Sequence, residues 1–161
     1  MCESLEQSFG QLDVLVNKAG IKEEACGLEV TLAAVRATLE TNTLAPLHLS
    51  QALVPLLKRS KAGRIVNISS GMGQLSDMEG GYAAYRISKT ALNAVTAILA
   101  AELRGAVAVN AVCPGWVKTD MGGKNAVREV SQGAAGAVWL ALDAPRDFTG
   151  NFTRDGKVIP W

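Results

Sequence analysis

The sequence predicts an α/β fold, a parallel sheet of about four strands with helices on both faces. Three observations predict it. Short β-branched runs alternate with long helical patterns in the order strand, helix, strand, helix, strand, helix, strand, the pattern of a covered parallel sheet. Hydrophobic residues make up 48% of the 161 residues, and the excess lies in Ala, Val and Leu, which suits helices packed closely on a sheet. Three of the strands run into polar, turn-rich exits. A chain of this length has one domain as its default, here residues 1–161, and it is long enough to bury a sizeable core.

Residues 1–9 read as the last turns of a helix that Gly10 stops. Residues 12–16 (Leu-Asp-Val-Leu-Val) form a short apolar strand, and Asn17-Lys18-Ala19-Gly20 is its turn-rich exit. Residues 31–58 read as one long helix with Thr31 as N-cap, kinked or ragged where Pro46 and Pro55 interrupt it. Residues 61–63 turn into the β-branched strand 64–69, which ends at Ser69-Ser70-Gly71. After a small loop closed by Gly80-Gly81, residues 82–103 form an Ala-rich helix. Strand 106–112 closes on Cys113-Pro114-Gly115, followed by a polar stretch over 118–125, a helix over 129–142 and a last strand over 151–154, turned at Asp155-Gly156. There is no internal repeat, linker or low-complexity segment.

Several function classes are excluded by composition. Net charge is +1 with no basic block, so nucleic acid is not an expected partner. No apolar run reaches the roughly 18 residues of a membrane helix. The first ten residues are polar and carry Glu3 and Glu6, unlike a secretory signal. Cys2, Cys26 and Cys113 are odd in number and fit no metal spacing, which points to a reduced, cytoplasmic setting and no metal. The single His48 lies among apolar residues and no Gly-x-Ser-x-Gly elbow is present, so a serine hydrolase is not expected.

Ligands of open parallel sheets sit at the carboxyl ends of the strands, and the exits at 17–20, 69–71 and 114–119 converge there. Tyr85-Arg86-Ile87-Ser88-Lys89 adds chemistry. On a helix, residues four apart project from adjacent turns, and a Lys ammonium beside a phenol favours the phenolate and lowers its pKa. Such a pair can move a proton to or from an alcohol or carbonyl oxygen. Tyr-x-x-x-Lys by itself fits an exposed helical face equally well, Ser69-Ser70 a strand-end turn, Asn42 an exposed helical polar residue and Pro114-Gly115 a plain turn. Tyr82 precedes Arg86, whose fork suits carboxylate and phosphate rather than the Lys role.

The ordered set Leu15-Val16-Asn17-x-Ala19-Gly20, Thr41-Asn42, Ile65-Val66-Asn67-Ile68-Ser69-Ser70, Tyr85-x-x-x-Lys89 and Cys113-Pro114-Gly115-Trp116-Val117-Lys118-Thr119-Asp120-Met121 resembles the short-chain dehydrogenase/reductase family. The last piece and the ending Arg154-Asp155-Gly156-Lys157-Val158-Ile159-Pro160-Trp161 are most similar to its carbonyl-reductase branch. The resemblance implies a Rossmann-type sheet and an NAD(P)-dependent oxidoreductase that reduces a small ketone or aldehyde to an alcohol. It implies Tyr85 as general acid or base, Lys89 lowering its pKa and holding the nicotinamide ribose, and Ser70 on the substrate carbonyl oxygen. Ser70 is favoured over Ser69 because the family's serine follows the strand end, and strand alternation points the two apart. Asn42 is implied to sit at a helix irregularity whose backbone holds a water leading to Lys89. Pro114, Gly115, Val117 and Thr119 are implied to line the nicotinamide, and Asn17, Ala19 and Gly20 to pass beside the adenosine half.

Two departures from the family pattern stand out. Lys18 occupies the place of a usual Asn, so its ammonium is expected to snorkel to solvent or meet an anion. The Gly-rich pyrophosphate turn of the family is not found in the chain, whose early glycines are Gly10, Gly20 and Gly27. By this resemblance the N-terminal βαβαβ portion is missing, the chain is a single truncated Rossmann-like domain, and strand 12–16 is an uncovered edge. NADP(H) is favoured over NAD(H) by resemblance, the selectivity residues being absent from the chain. The alternative is a non-catalytic truncated member that pairs with a full-length relative. The helices 31–58 and 82–103, the family's usual dimer face, make a homo- or hetero-oligomer the expected assembly. A third reading is an unrelated α/β binding protein.

Overall fold

A computed structural model describes residues 2–161, with side chains from residue 4 onward. The expected helical start at Met1 and the Cys2 thiol lie outside the described residues. Helix α1 (Cys2–Phe9) ends at Gly10, which takes a left-handed φ of 71°. The edge strand β1 (Val14–Asn17) follows. Its only partner among the described residues is β2 (Arg64–Ile68), in parallel register with Leu15 beside Ile65 and Asn17 beside Asn67. Strand β3 (Ala108–Val112) pairs parallel on the far side of β2, and β4 (Phe152–Arg154) pairs parallel with β3. A short β5 (Lys157–Val158) completes the order β1-β2-β3-β4-β5 and runs antiparallel to β4. The sheet therefore has 5 strands rather than the expected four. The Asp155-Gly156 hairpin makes the addition, and two ladder residues are too few to leave a periodic signal in the sequence.

The long helix expected over 31–58 is three consecutive segments. Helix α2 (Leu32–Leu39) is capped by the Thr31 hydroxyl, which accepts from the Ala34 N–H. A π-helical turn covers Glu40–Leu44, and α3 (Ala45–Leu57) continues from it. The irregularity thus falls at Asn42 and not at the two prolines themselves. Ala45 donates back to the Glu40 carbonyl, one residue farther than an α-helix requires. Pro46 then has no N–H to return to the turn at 41–42, so a carbonyl there is released from the helical ladder.

Helix α4 (Ala83–Glu102) starts one residue later than expected, because Tyr82 takes a left-handed φ of 51°. The expected loop over 71–81 is tightened by two 3₁₀ turns, Gly71–Gly73 and Leu75–Asp77. Helix α5 (Val130–Leu142) opens on a reciprocal Glu129–Gln132 capping box.

Alternation along the strands builds a core on each face of the sheet. Ile65 and Val109 pack under Leu53, Leu56 and Leu57 of α3 and Leu99 of α4. Val66 and Val112 pack on the other face under Leu140 of α5 and Ala144. A smaller cluster joins Ala111, Cys113 and Phe152, with Trp161 stacked on Phe152. These layers clamp the carboxyl ends of β1, β2 and β3 at one edge.

Candidate active site

Ser69 and Ser70 leave β2 in opposite directions, as strand geometry requires. The Ser69 hydroxyl points inward and donates 2.6 Å to Asn93 Oδ1. Ser70 accepts from the Met72 N–H, and its hydroxyl lies beside the Tyr85 hydroxyl. Tyr85 is only 8% exposed. Burial pushes its pKa up, the neighbouring Ser70 hydroxyl pulls it down, and the nearby Cys113 sulfur raises it again. The expected lowering by Lys89 is therefore not the balance in the free protein. Desolvation of the phenolate outweighs the neighbouring dipoles.

Lys89 lies one turn along α4, with Nζ 5.6 Å from the centre of the Tyr85 ring. The amine donates 2.8 Å to the Ile68 carbonyl, and burial lowers its pKa from 10.5 to about 8. Gly73 allows this approach. A Cβ built there would lie 2.7 Å from the Lys89 carbonyl carbon and 2.9 Å from the Thr90 nitrogen, both backbone and unable to yield. Gly73→Ala is expected to destabilise the chain by about 1–3 kcal/mol through overpacking, read as a lower urea midpoint with an unchanged slope. A midpoint equal to wild type would mean that the 3₁₀ turn gives way freely.

Asn42 is fully buried. Its Oδ1 accepts from the Ile21 N–H at 2.8 Å, and its Nδ2 donates to the Ile21 carbonyl at 2.8 Å and to Ser88 Oγ at 2.9 Å. Ser88 in turn donates to the Tyr85 carbonyl. The π turn thereby fastens the first exit loop to the helix that carries Tyr85 and Lys89. Gly20 sits in the same cluster, since a Cβ there would lie 3.3 Å from Asn42 Oδ1 and 3.7 Å from Lys89 Nζ.

Asn17 donates to Asn67 Oδ1 at 2.8 Å, and Asn67 donates to Thr96 Oγ1 at 2.9 Å. This buried ladder ties β1 and β2 to α4. Asn17 Oδ1 is the buried side-chain polar atom left without a partner among the described residues. Ala19 is exposed, and so is Lys18, whose ammonium reaches solvent as expected of an aliphatic stem with a charged tip.

The third exit is fixed by a contact that the sequence did not disclose. Cys113 Sγ accepts from the Gly71 N–H at 3.1 Å, the Gly115 N–H at 3.4 Å and Arg154 Nη2 at 3.1 Å. One sulfur thus joins the Ser70-Gly71 turn, the Pro114-Gly115 turn and β4. Gly115 has a φ of 76°, and a Cβ there would come 2.6 Å from Arg128 Nε. Arg128 is held by a two-pronged pair with Asp155, which keeps that carboxyl below its ordinary range. Val117 packs against Gly133 of α5. Thr119 is exposed, and its hydroxyl is taken up within its own turn with Val117 and Gly122. No hydrogen bond links it to Tyr85 or Lys89. Lys22, which the sequence did not single out, donates to the Met121 carbonyl and lies over the Tyr82 ring at 5.0 Å, so it bridges the first and third exits.

A parallel sheet with Ser70, a buried Tyr85 and Lys89 at the carboxyl ends of its strands is the architecture of dinucleotide-dependent oxidoreductases. A family profile described as short chain dehydrogenase matches residues 1–129. The chain belongs to the short chain dehydrogenase family and is a carbonyl-reductase-like member of it. It is 34% identical over 156 residues to the C-signal of Myxococcus xanthus, a match taking in 94% of each chain. It is 29% identical over 208 residues to carbonyl reductase [NADPH] 1 of Sus scrofa, covering all of this chain and 71% of that one. Its fold matches the NADPH-bound carbonyl reductase from chicken fatty liver with a TM-score of 0.92 and 32% identity, across 99% of this chain and 71% of that chain. The carbonyl reductase Sniffer of D. melanogaster superposes equally well, at a TM-score of 0.92 and 33% identity. No helix among the described residues is long and apolar enough to cross a membrane.

Proposed function

We propose that the protein reduces a small ketone or aldehyde to an alcohol with NADPH, and that Tyr85 delivers the proton. The observation that carries this reading is the buried Tyr85 with its hydroxyl beside Ser70 and Lys89 beside its ring. Burial keeps the phenol protonated at neutral pH, which suits an acid for reduction better than a base for oxidation. The hydroxyls of Ser70 and Tyr85 lie side by side and so can share one carbonyl oxygen, Ser70 by hydrogen bond and Tyr85 by proton transfer as negative charge grows there. Lys89, with a pKa near 8, can hold a proton at Nζ and give it up close to neutrality. Asn42 acts through the π turn as a positioning residue, holding the 21 loop against α4.

The residues present fit a nicotinamide ribose. Gly20 lets the backbone come close to Lys89 and Asn42 where a Cβ would be crowded at 3.3 Å, Gly115 adopts a conformation that favours glycine, and Asn17 offers a buried acceptor with no partner among the described residues. Lys89 would hold the ribose hydroxyls, Pro114, Gly115, Val117 and Thr119 would border the ring, and Ala19 and Gly20 the adenosine side. When bound, the nicotinamide supplies the hydride to the carbonyl carbon.

A second reading rests on the apolar side chains that α4 leaves exposed, Ile87 at 48% and Ile98 at 55%. In it the helices over 31–58 and 82–103 pair with another copy or a full-length relative, and the chain itself does not turn over substrate. Calorimetric titration with NADPH and NADH separates the two. The expected result is saturable binding with NADPH tighter than NADH. A folded chain that gives no heat with either nucleotide would overturn the first reading and leave the second.

A further inference from the structure

At the end of the sheet opposite Tyr85, a cavity of about 650 Å³ opens below the first residues of β2 and β3. Its floor is apolar, built from Gly63, Val107 and Ala108, and its polar lining is Arg64, Arg104, Arg146 and Asp147, with Thr149 alongside. Three arginines therefore line it against one aspartate. Arg64 is buried and donates to the Leu140 carbonyl at 3.1 Å and the Ala144 carbonyl at 2.7 Å. It spends part of its donor set on the end of α5, which fixes it as a rigid wall rather than a mobile surface group. Arg104 and Arg146 are different. Both are exposed, they come from separate elements, and neither has an ion-pair partner among the described residues.

We propose that this cavity binds a small molecule carrying a phosphate or carboxylate group, gripped by Arg104 and Arg146, with its body lying on the Gly63–Val107 floor. Guanidinium forks match both anions in shape and stay charged at all physiological pH. The cavity is far larger than an inorganic ion, so the ligand has an organic body. Its place at the amino ends of the strands separates it from the Tyr85 site at the carboxyl ends, and the two can be occupied together.

The test is thermal unfolding against rising concentrations of sodium phosphate and, in a second arm, sodium succinate, each matched in ionic strength with sodium chloride. The expected result is a saturable rise in the midpoint with phosphate, succinate or both, and the arm that responds identifies the head group. The double variant Arg104→Ala/Arg146→Ala, altered only at exposed side chains, is expected to weaken that response about tenfold or more and to leave nucleotide binding unchanged. A rise no larger than that of chloride, or one equal in wild type and the double variant, would overturn the proposal. Neither readout depends on carbonyl turnover, so failure here and failure of the reductase reading are distinguishable.

Discussion

Replacing Tyr85 by Phe is expected to lower carbonyl turnover by about a thousandfold, ~4 kcal/mol in the barrier, within the range of general acid–base contributions. Phe keeps the ring that fills the space at 8% exposure and removes only the hydroxyl beside Ser70. The fold is therefore retained, and circular dichroism and the urea midpoint of the variant stay close to wild type. Steady-state kcat with a carbonyl substrate and NADPH is the readout, with nucleotide affinity as the control. Turnover equal to wild type would remove Tyr85 from the mechanism. Loss of turnover together with loss of folding would say only that the buried hydroxyl is structural, and Ser70→Ala, which removes the neighbouring hydroxyl, then separates the two effects.

The second large effect is on stability. Burial lowers the Lys89 pKa from 10.5 to about 8. Below about pH 8 the folded protein carries the buried charge at a constant cost. Between about 8 and 10.5 the folded state has released a proton that the unfolded chain still binds, so stability rises with pH across that window. The gain is on the order of 3 kcal/mol, at about 1.4 kcal/mol for each tenfold change in proton affinity. Tyr85 acts in the other direction. Its raised pKa keeps the folded phenol protonated above its ordinary 10.0, where the unfolded phenol has begun to ionise, so its own contribution falls from about pH 10 upward and opposes the Lys89 gain. Urea titrations from pH 7 to 10 are expected to show a rise in wild type that sets in near pH 8. In Lys89→Met the rise is absent and stability at pH 7 is higher, because no ammonium has to be desolvated. An identical slope in both proteins would show that Lys89 is hydrated in the fold and not buried as described.

Much of the candidate site was legible because it is local. Tyr85 and Lys89 are four residues apart on one helix, and helical periodicity alone brings them to one side. The choice of Ser70 over Ser69 rests on strand alternation and the resemblance, and the structure points the two apart, Ser69 bonded to Asn93 and Ser70 beside Tyr85. The break in the first long helix was anticipated at Asn42 by resemblance, although the prolines alone pointed to Pro46 and Pro55. The missed features are pairings between distant residues. Lys22 with Met121, Arg128 with Asp155, and Cys113 with Gly71 and Arg154 each join separate loops, and no periodicity or spacing encodes them.

Hydrophobic period and turn chemistry act over a few residues, so the sequence by itself determined the alternation of strands and helices, the polar exits at the carboxyl ends and the Tyr85–Lys89 pair. Tertiary structure alone decided the charge state of that pair. Desolvation depends on everything packed around a group, and here it raises the phenol and lowers the amine, whereas the neighbouring ammonium by itself would have lowered the phenol. It also decided that Asn42 grips Ile21, that one cysteine sulfur joins three segments, and that Arg104 and Arg146 stand over one cavity. Each of these depends on where the sheet and its two helical layers place residues that the chain keeps far apart.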